Sequence, residues 1–195
     1  KLAQKFVEKA LKTGGSALVN TFDIIYCPAG ASTLLGNIAV PLFLSNVTNA
    51  VFLLDGDQNT LTEFTKSAQI PESQDSALSE IIKKILGCEI KIPTDGNGGK
   101  PNEKQKRLLH RGFIDFSYNF ISYLPVINPE VFLIDNLPEF YVGLIKDKDI
   151  SGLSPKEITV EICKNDIGCN EITSDDIFAT QIRILSHNQQ FLGLG

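Results

Sequence analysis

The sequence predicts an α/β protein, a parallel sheet flanked by helices, with a helical C-terminal elaboration. Two observations predict the sheet. Residues 23–27 (DIIYC) are a short β-prone run that passes through Pro28-Ala29-Gly30-Ala31-Ser32 into a helical pattern at Leu34, Leu35, Ile38 and Ala39. Residues 50–54 (AVFLL) are a continuous apolar run, the pattern of a strand covered on both faces. Strand, glycine turn, helix and strand make a β-α-β unit, and such a unit implies parallel strands. A third observation predicts the elaboration: two helix-start signals, at residues 154–157 and 174–176, close the sequence.

Taken in order, the chain opens on an amphipathic helix. Leu2, Phe6, Val7, Ala10 and Leu11 recur at helical spacing, and Gly14-Gly15 stops the pattern. After the second strand and a polar stretch, residues 77–86 carry a helical pattern closed by Gly87. Residues 93–101 form a loop by composition. Asn102 then stands as the N-cap of a long helix, with Leu109, Phe113, Phe116 and Phe120 in one apolar stripe that ends before Pro125. Residues 131–134 (VFLI) read as a third strand. Ser154-Pro155-Lys156-Glu157 gives an N-cap, a first-turn proline and a capping acid, and Ser174-Asp175-Asp176 starts a last helix running toward His187.

Composition bounds the function. Of 195 residues, 43% are hydrophobic and 21% charged, enough apolar material to exclude a disordered chain. No apolar tract reaches the roughly 18 residues that a membrane helix needs, so no membrane partner is expected. A net charge of −5 argues against a surface coated for non-specific nucleic-acid binding; any DNA contact is regional. Cys27, Cys88, Cys163 and Cys169 fit neither zinc-ligand spacing nor a disulfide framework and read as reduced thiols. No charged segment followed by an apolar one opens the chain, so the cytoplasm is the default compartment. The sequence holds no methionine, and it is expected to begin inside something longer.

The richest chemical signal is Asp55-Gly56-Asp57, directly after the apolar strand. In an open α/β sheet the carboxyl ends of the strands face the ligand crevice, so two carboxylates across a glycine can address one ion. Hard cations such as Mg²⁺ or Mn²⁺ take oxygen ligands of this kind. The alternative is a polar turn, because Asp-Gly is a common turn pair. Gly30 and Ser32 form a second signal, a glycine turn at a helix start where backbone amides approach a phosphate; a structural turn is the alternative. A third is the cluster Lys100, Lys104, Lys106, Arg107, His110 and Arg111, opposed by Glu103 alone. It is either a phosphate-binding flank for DNA or a solvated helix face. No nucleotide-triphosphate fingerprint is present, so no ATP site is expected within the chain. His110 and His187 are isolated and no serine or cysteine has a nucleophile-elbow context, which leaves triad chemistry without support.

Over roughly residues 1–140, the opening helix, "DIIYCPAGAS", "VFLLDGDQ" and "LPVINPEVFLI" resemble the Toprim domain of the overcoming-lysogenization-defect family of ATP-dependent endonucleases. The resemblance implies a Toprim-like, Rossmannoid sheet in residues 1–140 and a helical extension in 141–195. It implies an Mg²⁺- or Mn²⁺-dependent DNA endonuclease in which Asp55 and Asp57 match the paired aspartates. A further acid completes the site, Glu130 first and Glu139 second. Gly30 matches the family's glycine turn. The family's first strand and its glutamate are absent here, and its lysine has no distinguishable match among Lys146, Lys148, Lys156 and Lys164. The implied partners are DNA and an upstream ATPase domain of the same protein, with self-association left open; the implied setting is anti-phage defence. Two rival readings stand beside it: a non-catalytic interaction or dimerisation domain on the same scaffold, and a phosphohydrolase using a strand-end aspartate.

Overall fold

Helix starts and stops are well marked in this chain, and they largely dictate its local structure. The computed structural model describes residues 1–15, 20–59, 65–94, 96–97 and 100–188; for 96–97 and 100–101 it describes the backbone alone. The chain folds as two compact units, one of residues 27–124 and one of residues 1–26 together with 125–195. The boundary expected at residue 140 falls inside the second of these, within a helix.

Among its described residues, the unit of residues 27–124 is a mixed α/β body, mostly helical with two short strand pairs. Gly30 caps α1 (Ala31–Leu34), which runs through a π-helical turn (Leu35–Ala39) into α2 (Val40–Leu44). Strand β1 (Phe52–Leu54) follows, then 3-10 turns at Gly56–Gln58, Ser67–Gln69 and Glu72–Ala77, and α3 (Leu78–Leu86). Gly87 ends α3 at φ 69°, a left-handed turn that glycine enters without the Cβ penalty. A two-residue antiparallel ladder pairs β2 (Gly96–Asn97) with β3 (Lys100–Pro101) within the expected loop, of which residues 95, 98 and 99 lie outside the described residues. Helix α4 (Glu103–Phe120) begins as read from sequence: the Asn102 side chain accepts from the Gln105 amide at 3.2 Å. Strand β4 (Ile121–Tyr123) then pairs with β1 in parallel, Phe52 opposite Ile121 and Leu54 opposite Tyr123, and the Leu124 amide donates to the Leu54 carbonyl at 2.8 Å.

The core of this unit joins the π-helical turn (Leu35), α2 (Val40), β1 (Phe52, Leu54), α3 (Leu78, Ile82, Leu86) and the stripe of α4 (Phe113, Phe116). Phe43 sits edge-on against Phe113 at 5.3 Å and Phe116 at 5.6 Å. It does so over Gly112, where a Cβ would come within 3.2 Å of the Phe43 ring, so glycine permits the close approach of helix and ring.

The unit of residues 1–26 and 125–195 is helical. It contains α5 (Leu2–Gly14), α6 (Pro129–Asp135), α7 (Glu139–Ile145), α8 (Pro155–Ile167) and α9 (Ser174–His187). Phe6 packs edge-on against Phe132 at 5.2 Å. The Lys9 ammonium donates to the carbonyls of Leu185, Ser186 and Asn188, filling the orphan acceptors at the α9 C-terminus. Ser154 and Glu157 form the expected capping box on α8, and Thr173 with Asp176 forms one on α9.

Three expectations are corrected. Residues 131–134 are helical: Asn128 accepts from the Val131 amide at 2.8 Å and Pro129 occupies the first turn, a start signal that outweighs a four-residue apolar run. Residues 23–27 join no strand ladder; Ile25 is 87% exposed, and the Ile24 carbonyl accepts from the Gln4 side chain. Strand β1 is covered on one face only, since Phe52 and Leu54 are buried while Leu53 and Val51 are exposed. The parallel pairing therefore arises between β1 and β4, across the helices α3 and α4, and not across the glycine turn.

Candidate functional site

Asp55 follows β1 immediately, caps the Gly56–Gln58 turn with extended backbone (φ −63°, ψ 146°), and is exposed. Asp57 sits within that turn, also exposed, and accepts from the Gln58 side chain at 3.1 Å. Both carboxylates thus lie just past the carboxyl end of a strand in a parallel pair. Carboxylate oxygens are the kind of ligand that Mg²⁺ or Mn²⁺ takes while retaining several waters.

The other expected ligands belong to the second unit. Glu130 is half-buried in the first turn of α6, and Glu139 is exposed at the first residue of α7. Among the described residues, no three His, Cys, Asp or Glu side chains form a metal-binding group. Gly30 has φ −66°, which any residue adopts, and a Cβ built there meets nothing within 4 Å. Neither backbone conformation nor crowding requires a glycine at this turn. Ser32 is exposed in the first turn of α1.

The basic cluster divides by geometry along α4. Lys104 is exposed. Arg107 is about half exposed and stands 3.5 Å from Asp75, while Lys106 is half-buried. Arg111 turns inward: it donates to Asp75 at 2.6 and 2.9 Å, to the Ser67 carbonyl at 2.8 Å and to the Ile70 carbonyl at 3.0 Å. One turn on, Asp115 accepts from the Ser67 amide and hydroxyl at 2.8 and 2.6 Å. Arg111 and Asp115 therefore fasten residues 67–75 to α4, and Arg111 has few donors left for a phosphate. The Lys100 side chain lies outside the described residues.

Beside this network lies a small cleft of about 120 Å³, lined by Asp75, Ser76, Ser79, Glu103, Lys106, Arg107 and His110. His110 is 7% exposed. Burial holds its imidazole below the ordinary histidine value, the Lys106 cation lowers it further, and Glu103 opposes both. Sequence reading missed Asp75, Ser76, Ser79 and Asp115, which come together only through the fold; Asp75 precedes Arg107 and Arg111 by a separation that carries no local signal. His110 was visible as part of the basic cluster, but its burial was not.

Elsewhere, the four cysteines are free, and burial pushes the half-buried Cys88 thiol upward, away from thiolate chemistry. No helix among the described residues is long and apolar enough to cross a membrane. No family model, curated protein or solved structure matches the chain.

Proposed function

We propose that the chain is a Toprim-like, metal-dependent phosphodiesterase domain acting on DNA, with Asp55 and Asp57 as the metal ligands. The observation that carries this reading is the position of the two exposed carboxylates just past the end of β1, beside its parallel partner β4. When bound, a divalent ion activates water and stabilises the leaving oxygen of a phosphodiester. Asp55 and Asp57 would supply anionic oxygens to such an ion, and the backbone bond from the Gln58 amide to the Asp55 carbonyl, at 3.1 Å, closes the turn that carries both residues. Lys104, Lys106 and Arg107 on α4 supply cations for the DNA backbone. The upstream ATPase partner and a role in phage defence belong to the same proposal and rest on the sequence resemblance.

Nicking of supercoiled plasmid tests it. Cleavage is expected with Mg²⁺ or Mn²⁺, slow in this chain by itself because the family's first glutamate is absent from it, to stop with chelator, and to fall by at least about a hundredfold in Asp55→Ala, because misplacing the attacking water by an ångström costs that much. Metal-dependent nicking that survives undiminished in both Asp55→Ala and Asp57→Ala overturns the assignment. A second reading, a non-catalytic interaction domain, draws on one observation: Val51 is 63% exposed and Leu53 40% exposed, an apolar face beside β1 open to a partner.

A further inference from the structure

The cleft on α4 has the attributes of a small-anion site. Its volume of about 120 Å³ is well below the roughly 300–1,000 Å³ of pockets that enclose drug-sized ligands, so it suits a single ionic group rather than a nucleobase. Two cations, Lys106 and Arg107, and two hydroxyls, Ser76 and Ser79, line it. Of its two carboxylates, Asp75 is already held by Arg111 at 2.6 Å, and Glu103 is exposed at the start of α4. Counting Arg111, three cations meet two carboxylates, which leaves a positive balance inside an acidic protein.

The second observation is His110. It is more than nine-tenths buried and makes no hydrogen bond among the described residues, yet its side chain helps line the cleft. Its ring nitrogens are not sealed off, since among the described residues Arg183 Nε is the buried side-chain polar atom left without a partner; they open onto the cleft and to whatever occupies it. An imidazolium in a wall that already holds Lys106 and Arg107 repels them, and an anion in the cleft removes that repulsion while accepting the imidazolium N–H.

We propose that this cleft binds a phosphoryl group, held by Lys106, Arg107 and the Ser76 and Ser79 hydroxyls, with His110 donating a hydrogen bond from its protonated ring. The site deepens the DNA-binding side of the proposed function and stands apart from metal chemistry at Asp55 and Asp57. Its ligand chemistry is a phosphate oxyanion, supplied either by a nucleic-acid backbone or by a free phosphate. The charged groups that face His110 are Lys106, Arg107 and Glu103 on its own helix and Asp75 from the preceding 3-10 turn. Because the anion favours the imidazolium, binding tightens as pH falls through the His110 titration and weakens above it.

The chain has two histidines, so His187 serves as an internal reference for a ring-proton NMR titration. The full chain is titrated without metal at matched ionic strength, in chloride, with inorganic phosphate, and with a short single-stranded oligonucleotide. Phosphate is expected to raise the His110 pKa by roughly one unit, equivalent to tenfold tighter binding to the protonated ring, and to leave His187 unmoved. In the double variant Lys106→Gln, Arg107→Gln the His110 pKa should rise in chloride, because a neighbouring cation is gone, and should no longer respond to phosphate. A response to both phosphate and oligonucleotide identifies backbone phosphates as the source; a response to phosphate alone identifies the free anion. If His110 does not move, or moves equally with His187, or responds unchanged in the double variant, the cleft is not a phosphoryl site. None of these outcomes depends on nicking activity, so failure here and failure of the nuclease reading are separable.

Discussion

At the scale of single residues, side chains of the same charge on one helix have different work, and burial tells them apart. Arg111 is 21% exposed and satisfies Asp75 and two backbone carbonyls at once. Arg111→Ala leaves those acceptors without their donor in a partly buried place, and is expected to destabilise the chain by about 2 kcal/mol in urea unfolding. Arg107 is half exposed and 3.5 Å from Asp75, so Arg107→Ala is expected to cost within about 0.5 kcal/mol. Equal losses for the two variants would contradict this division. His110 has its own pH signature. Its folded pKa lies below the ordinary value, so the unfolded chain takes up the proton first as pH falls. Stability from this residue is present above the ordinary histidine pKa and is lost as pH drops through the folded value. His110→Gln should flatten that part of the stability profile; an unchanged slope would show that the ring is not held neutral. None of these distinctions was legible in the sequence, where Arg107, His110 and Arg111 read as one basic cluster.

At the scale of elements, the sequence was most readable where a helix began. Asn102, Ser154 and the acids after Thr173 mark their helices because each provides an acceptor for amides that have no intrahelical partner. Asn102→Ala is accordingly expected to cost about 1 kcal/mol, measured as a shift in the unfolding midpoint. The apolar stripe of α4 was readable too, and Phe113, fully buried against Phe43, should cost about 3–5 kcal/mol when changed to alanine. Strands were harder. Residues 131–134 carry the apolar run of a strand, but Asn128 and Pro129 had already set a helix. Residues 23–27 carry β-prone side chains with no ladder to join, and a strand is a property of its partner as much as of itself. β4 went unread because three residues after a long helix leave too little pattern to detect.

At the scale of the whole molecule, the sequence suggested a division in chain order, whereas the compact units interleave: the N-terminal 26 residues share a unit with the C-terminal helices. That arrangement is set by tertiary packing such as Phe6 on Phe132 and Lys9 on the end of α9, pairings too distant in sequence to read. The coarse class, mixed α/β, was legible from the apolar run that forms β1, but the parallel pair was expected with the wrong partner, residues 23–27 in place of β4. The aspartates were legible for the same local reason: they directly follow that strand. The α4 cleft was only half legible, since Asp75, Ser76 and Ser79 reach it through the fold. The central claim, that Asp55 and Asp57 hold a divalent ion, is tested most directly by adding substoichiometric Mn²⁺ to the ¹⁵N-labelled chain. Paramagnetic broadening should appear first at the amides of Gly56, Asp57 and Gln58 and should vanish from them in the charge-neutral double variant Asp55→Asn, Asp57→Asn. Broadening centred elsewhere, or the same pattern in the double variant, would contradict it.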